Sequence, residues 1–307
     1  MKAVCVHHFG GPEVMTYEEI ACPRPAPDEL LVRIEAAGVG PWDAWIRSGR
    51  SAIPQPLPLT LGSDIAGVVD EVGCAVSGFD SGMQVYGVTN SRFTGGYAQF
   101  AVAKTAMLAK KPSTLSFVEA ASLPVIANTA WQMLFDYAKI EPGQRVLILG
   151  ASGSVGSMAV QLAHRHGAHT IAEMSSDDAE RLMHLGADEV YDLSDPAATI
   201  PAVDAVIDAA GGDKQRQGIA MLKRRGYIVS AVSAPDPQLL KQRSARGTFF
   251  LVKATTDGLR RIADLVDRGA LSTRVGTILP LSEAQRAHRM LDGTEPYVRG
   301  KIVLRAN

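Results

Sequence analysis

Cysteine is scarce in this chain: Cys5, Cys22 and Cys74 are the only three in 307 residues, and no two form a C-x-x-C pair. Such an odd, scattered set excludes a disulfide framework and suits a reducing compartment, where small thiols are usually just buried. Long apolar runs are missing too. The longest apolar-leaning stretch, 116–134, is interrupted by Glu119, Ser122, Pro124, Asn128 and Gln132, so no segment reads as a bilayer span. The opening MKAVCVHHFGG lacks the apolar core of a secretory leader, and a cytoplasmic protein is expected. Neither sign of charge prevails: 31 basic and 32 acidic side chains leave a net charge of -1 with no basic block. Nucleic acid and membrane are therefore not expected as partners.

What is present is ordinary globular material, 46% hydrophobic and 21% charged, in a length that suits two domains. Up to about residue 115 the chain reads as β-rich. Short β-prone runs at 2–7, 15–20, 30–36, 64–72, 84–88 and 97–102 are separated by Gly- and Pro-bearing turns such as GGPE and CPRPAPDE. That pattern predicts a partly open barrel. At Ser116 the rhythm changes. Ser116 followed by Glu119 is a capping-box signature for a helix running toward Tyr137, with Pro124 the point where it can break. Strands at 145–149, 169–174, 189–193, 204–209, 227–232 and 247–252 then alternate with helices at 155–166, 177–185 and 214–224. Alternation of this length predicts a doubly wound parallel sheet. The tail changes rhythm again, with helices at 257–268 and 283–291 and strands at 275–281 and 301–304, and is expected to fold back on the first domain.

The sharpest local signal is Val146-Leu-Ile-Leu-Gly150-Ala151-Ser152-Gly153-Ser154-Val155-Gly156, an apolar strand, a tight turn and a helix start. Gly153 would let the backbone approach a pyrophosphate, Gly156 would let helix and strand pack closely, and the helix N-terminus would face the phosphates. Ala151 stands where the commonest fingerprint has Gly. The second strand carries Glu173 and runs into Ser175 and Ser176, where an NAD-preferring site usually presents an acid to the ribose. The serines either donate to a 2′-phosphate or cap the next helix, and the two readings are compatible. Asp177 and Asp178 would repel a phosphate unless turned away.

Beyond these patterns, the chain resembles the zinc-free quinone oxidoreductase (zeta-crystallin-like) branch of the medium-chain dehydrogenase/reductase superfamily. The resemblance rests on FGGPEV (9–14), GVGPWDAWIRSG (38–49), PLTLGSDIAGVVDEVG (58–73), GGYAQFAV (95–102), ASLPVIANTAWQML (121–134), VLILGASGSVGSMAVQLA (146–163), LGADEV (185–190) and RGKIVL (299–304). It implies an α/β protein: a GroES-like β-barrel catalytic domain from 1–123 and 254–307, with a Rossmann domain, 124–253, inserted between. It implies NADPH as cofactor (NADH being the alternative), a small carbonyl or quinone acceptor, and a homodimer with 247–252 as an edge strand. By the same similarity Thr129 would stand beside the nicotinamide and Lys301, in RGKIVL, would approach the cofactor.

In zinc alcohol dehydrogenases of the superfamily the metal ligands stand at positions matching Gly40, Ser63 and Val125, and none of these three can bind Zn²⁺. The family's quinone reductases usually carry Asn at the position of Gly40 and often Tyr at that of Trp45, so this pocket would be more apolar, with no named proton donor. Trp45, with Trp42 as a second candidate, would stack on a flat acceptor, or both would be core residues of a short helix at 42–47. The expected activity is NADPH-dependent, zinc-independent hydride transfer to quinones or α,β-unsaturated carbonyls. The alternative is a catalytically weak dinucleotide-binding structural protein or redox sensor of the same fold.

Overall fold

A computed structural model describes residues 1–174, 178–195 and 200–306. Strands and helices are numbered in chain order. Up to residue 125 they are β1 (Lys2–Val6), β2 (Met15–Glu19), β3 (Glu29–Val39), α1 (Pro41–Arg47), β4 (Leu59–Thr60), β5 (Asp64–Val72), β6 (Gln84–Val88), β7 (Phe100–Lys104), β8 (Leu108–Lys110) and α2 (Phe117–Ala121). The chain continues with α3 (Pro124–Trp131), β9 (Arg145–Leu149), α4 (Ser154–Arg165), β10 (His169–Glu173), α5 (Ala179–His184), β11 (Glu189–Tyr191), β12 (Val203–Asp208), α6 (Gly212–Met221), β13 (Leu222–Ser230), α7 (Pro237–Arg243) and β14 (Arg246–Phe249). It ends with α8 (Thr256–Asp267), β15 (Val275–Pro280), α9 (Ala284–Leu291) and β16 (Lys301–Arg305).

The chain forms two compact units, residues 1–125 with 254–307, and residues 126–253. The second holds a six-stranded sheet of order β11-β10-β9-β12-β13-β14, parallel throughout. That order, counted from the first strand outward in both directions, is the doubly wound Rossmann arrangement, whose ligands bind beyond the carboxyl ends of the strands where the order reverses. Strand β9 is fully apolar from Val146 to Leu149 because helices cover both faces of a parallel sheet.

In the first unit a sheet of order β15-β16-β3-β5-β6-β8, with β7 also on β3, lies beside a small β2-β1-β4 sheet. Register shifts in the β3–β5 pairing, at Leu31/Val32 and Ile34/Ala36, supply the bending that a rolled GroES-like sheet needs. One core joins the two ends of the sequence: Val4, Val6 and Met15 pack with Leu279, Leu281, Ala287, Ile302 and Leu304. Tyr86 Oη donates to the Leu259 carbonyl at 2.6 Å, tying α8 to β6.

Local expectation and structure part in a few places. The helix expected over 214–224 stops at Met221, and β13 begins at Leu222, because the polar Lys223-Arg224-Arg225 run is the exposed start of a strand. Helix α7 lies between the strands expected at 227–232 and 247–252; Asp236 caps it, accepting from Gln238 and Leu239 N–H ahead of Pro237. The strand expected from Tyr97 starts at Phe100. His288 is fully buried. Arg47 Nη1 donates to its Nδ1 at 2.9 Å, and burial pushes its pKa down to about 3, so the ring is neutral.

Candidate active site and dinucleotide site

In the Rossmann unit the strand β9 ends at Leu149 and the chain turns at once. Gly150 has φ +71, a left-handed conformation that suits glycine. Gly153 N–H closes the turn on the Gly150 carbonyl at 2.9 Å, and Gly153 itself caps α4 without any side-chain hydrogen bond. The amides of Ser154, Val155 and Gly156 therefore open the helix with no partner inside it. Steric demand differs sharply between the two glycines. A Cβ at Gly156 would lie 2.2 Å from the Gly150 carbonyl oxygen and 2.6 Å from Ala151 Cα, whereas one at Gly153 would meet only the Gly150 oxygen, at 3.2 Å. Ala151 is fully buried and its N–H donates to the Glu173 carbonyl at 3.0 Å. Ser152 Oγ is a buried hydroxyl with no hydrogen-bond partner among the described residues. An uncapped twelve-residue helix, a cradle that a side chain at 156 would fill and an orphaned hydroxyl on the turn fit a dinucleotide pyrophosphate.

Glu173, the last residue of β10, is fully buried. One carboxylate oxygen accepts the Gly150 N–H at 2.8 Å and the other the Lys214 ammonium at 2.6 Å. Ser175 and Ser176 lie outside the described residues, as does Asp177. Asp178 is buried, and α5 begins directly after it. Thr129 is buried in α3.

In the other unit a second constellation gathers around α1. Gly40 caps the helix, and its N–H donates back to Asp43 Oδ2 at 2.8 Å. The same oxygen accepts Tyr97 Oη at 2.9 Å, while Asp43 Oδ1 is buried without a partner. Burial pushes the Asp43 carboxyl up to about 7, against the opposing pull of the Gly40 N–H and the Lys301 charge. Asp64, also fully buried, accepts the Val125 N–H at 3.1 Å and the Lys301 ammonium at 3.3 Å; burial raises it to about 6. Lys301 Nζ also stands 4.4 Å from the centroid of the Trp42 ring, a cation–π distance. Trp42 Nε1 donates to Ser63 Oγ at 3.1 Å. The indole is thereby fixed from two sides. Its six-membered ring occupies the space in front of Gly40, so that a Cβ there would fall 2.3 to 2.5 Å from three ring carbons.

Sequence reasoning chose Trp45 ahead of Trp42. The structure places the Trp45 side chain on the exposed part of α1, 39% accessible, and makes Trp42 the tryptophan that meets Gly40, Ser63 and Lys301. Lys301 is buried with Asp64. The signals for Asp43 and Asp64 were weak, since an acid beside Pro-Trp or in LGSD reads as an ordinary turn residue. Glycine at 40 two residues before a tryptophan was the usable clue, because the larger side chain fills what the smaller leaves. Among the described residues no three His, Cys, Asp or Glu side chains cluster in a way that could hold a metal.

Comparisons with known proteins bear on this geometry. Residues 26–113 match the alcohol dehydrogenase GroES-like domain and residues 185–304 match the zinc-binding dehydrogenase family. The quinone oxidoreductase of Rattus norvegicus is 30% identical over 324 residues, covering 99% of this chain and 97% of its own. The chain belongs to the quinone oxidoreductase branch of the medium-chain dehydrogenase/reductase superfamily. As a member, it is an NAD(P)H-dependent oxidoreductase. Among solved structures, this quinone oxidoreductase family member is similar to the Coxiella burnetii quinone oxidoreductase (TM-score 0.91, 31% identity, 100% of this chain and 99% of that one). It is also similar to the Escherichia coli quinone oxidoreductase complexed with NADPH (TM-score 0.88, 27% identity, 99% of this chain and 100% of that one).

Proposed function

We propose that this chain is an NADPH-dependent, zinc-independent reductase that transfers hydride to quinones or to α,β-unsaturated carbonyls. The observation that carries the reading is the Trp42 indole seated in front of Gly40 and bonded to Ser63. A zinc ion needs thiolate, imidazole or carboxylate ligands. The superfamily's ligand positions here hold a glycine, a serine and Val125, and the first of them has no room for any side chain while Trp42 stays in place. With no residues to hold a Lewis acid there, a simple alkoxide goes unstabilised, and alcohols are poor substrates. A quinone or enone is easier, because the added charge spreads onto the acceptor oxygen.

When bound, the nicotinamide supplies the hydride. The chain's own work is then positioning, which can account for a large part of a rate enhancement. The Gly150–Gly156 turn and the opening amides of α4 hold the pyrophosphate, Thr129 and backbone N–H groups donate to the acceptor oxygen, and Trp45 offers an exposed aromatic face to a flat acceptor. Solvent supplies the proton. NADPH is favoured over NADH because Glu173, the acid at the end of β10, is spent on Gly150 and Lys214.

The assembly is a homodimer through the β14 edge, where Phe249 and Leu251 are exposed; light scattering at micromolar concentration checks this. The exposed thiols of Cys22 and Cys74 suit a cytoplasmic setting. Steady-state rates for a series of 1,4-quinones, enals and primary alcohols, in wild type and in Trp45→Ala, test the chemistry. Quinones or enals should be reduced fastest, and Trp45→Ala should slow quinones most. Alcohols as the best substrates would sink the acceptor assignment, and unchanged quinone reduction in Trp45→Ala would remove Trp45 from it.

A further inference from the structure

We propose that Arg181 is the residue that selects the phosphorylated cofactor, by taking the adenosine 2′-phosphate at the glycine turn. The inference rests on the dinucleotide reading above and concerns the choice between its two forms.

An acid at the end of the second Rossmann strand normally decides this choice, bonding the ribose hydroxyls and repelling a phosphate. Glu173 occupies that position and does neither. It has no exposed surface, one oxygen is consumed by the Gly150 N–H at 2.8 Å, and the other is paired with the Lys214 ammonium at 2.6 Å. The pair cancels the carboxylate's charge just beneath the turn that meets the cofactor.

Arg181 lies one helical turn into the element that follows. Its Nε and Nη2 grip the two oxygens of Asp178 at 2.9 and 2.6 Å, and Nη2 also donates to the Ser152 carbonyl at 3.3 Å. The fork thus fixes the guanidinium against the glycine turn itself. Two N–H donors on Nη1 remain outside these bonds, and the side chain keeps 24% of its surface exposed. Asp178 offsets part of the charge, but it is buried, with only 8% of its side chain accessible. Its oxygens are the anchor of the fork, so the acid expected to repel a phosphate instead orients the group that binds one. Beside the same carbonyl, Ser152 Oγ is buried without a partner among the described residues and supplies a further donor. A planar guanidinium with free N–H groups recognises phosphate far better than a diol, which gives the site its sign of selectivity.

Fluorescence or calorimetric titration of the full-length protein with NADPH, NADH, 2′,5′-ADP and 5′-AMP tests this without any turnover. The variant Arg181→Gln shortens the side chain and removes the charge, and its melting temperature is measured alongside. NADPH and 2′,5′-ADP should weaken about tenfold, with NADH and 5′-AMP changed less than twofold; Arg181→Lys should recover part of the loss. Equal weakening of NADPH and NADH would make Arg181 a brace for the turn, and no weakening of either would remove it from the site. A wild-type protein that prefers NADH would overturn the cofactor reading as well, whereas an NADPH preference that survives Arg181→Gln overturns this assignment alone.

Discussion

Gly153 and Gly156 look alike in the sequence, both being small residues of one fingerprint, but the space around them differs. At 156 a methyl would collide with backbone atoms that cannot move without opening the β9–α4 turn, while at 153 it would meet a single oxygen at 3.2 Å. Gly156→Ala should therefore cost about 1–3 kcal/mol of stability in urea titrations, the range for forced overpacking. Gly153→Val should melt near wild type but lose most of its NADPH affinity by calorimetry. The reverse pattern would mean that the two glycines have exchanged roles. At this scale the sequence showed which residues gather at the turn, through their spacing, but not what each side chain does. That Glu173 is spent on Lys214, 41 positions away, depends on two strands and a helix coming together, and no local pattern carries it.

The element that most shapes the second constellation is α1. It is a seven-residue helix, too short to be stable alone, and its start is held by Asp43 accepting from Gly40 and Tyr97. Asp43 is ionised near pH 4 in an unfolded chain but only near 7 in the fold. The native state thus binds the extra proton between those values. Its contribution to stability is complete below about pH 4 and is lost as pH rises through about 7. Asp64, raised to about 6, acts in the same direction, and His288, lowered to about 3, acts in the opposite one, losing stability as pH falls below about 6.5. Asp43→Asn isolates the contribution of Asp43. The stability difference, wild type minus variant, should fall by about 1–3 kcal/mol between pH 5 and pH 8 in chemical denaturation. A difference that stays flat or grows would contradict the assignment. Element boundaries were readable where caps are chemical, as at Ser116, whose Oγ accepts the Glu119 N–H. They failed at Met221–Leu222, where helix passes into strand with no Gly or Pro between.

For the molecule as a whole, the change from β-rich to alternating rhythm and back was enough to read a partly open barrel and a doubly wound parallel sheet, because hydrophobic period follows how many faces each element buries, while the GroES-like architecture came from the family resemblance. The shared core of Val4, Val6, Ile302 and Leu304 follows from no periodicity, since residues some 300 positions apart meet only through the tertiary fold. We propose that this oxidoreductase delivers hydride without a metal, its ligand space being filled by Trp42. The most direct measurement is a single-turnover stopped-flow experiment. Protein dialysed against a strong chelator, its metal content verified by mass spectrometry, is loaded with NADPH and mixed anaerobically with a 1,4-quinone. Bound NADPH should be oxidised at the rate of the untreated protein, and added zinc should change nothing. Loss of the NADPH oxidation phase on chelation, with recovery on adding zinc, would contradict it.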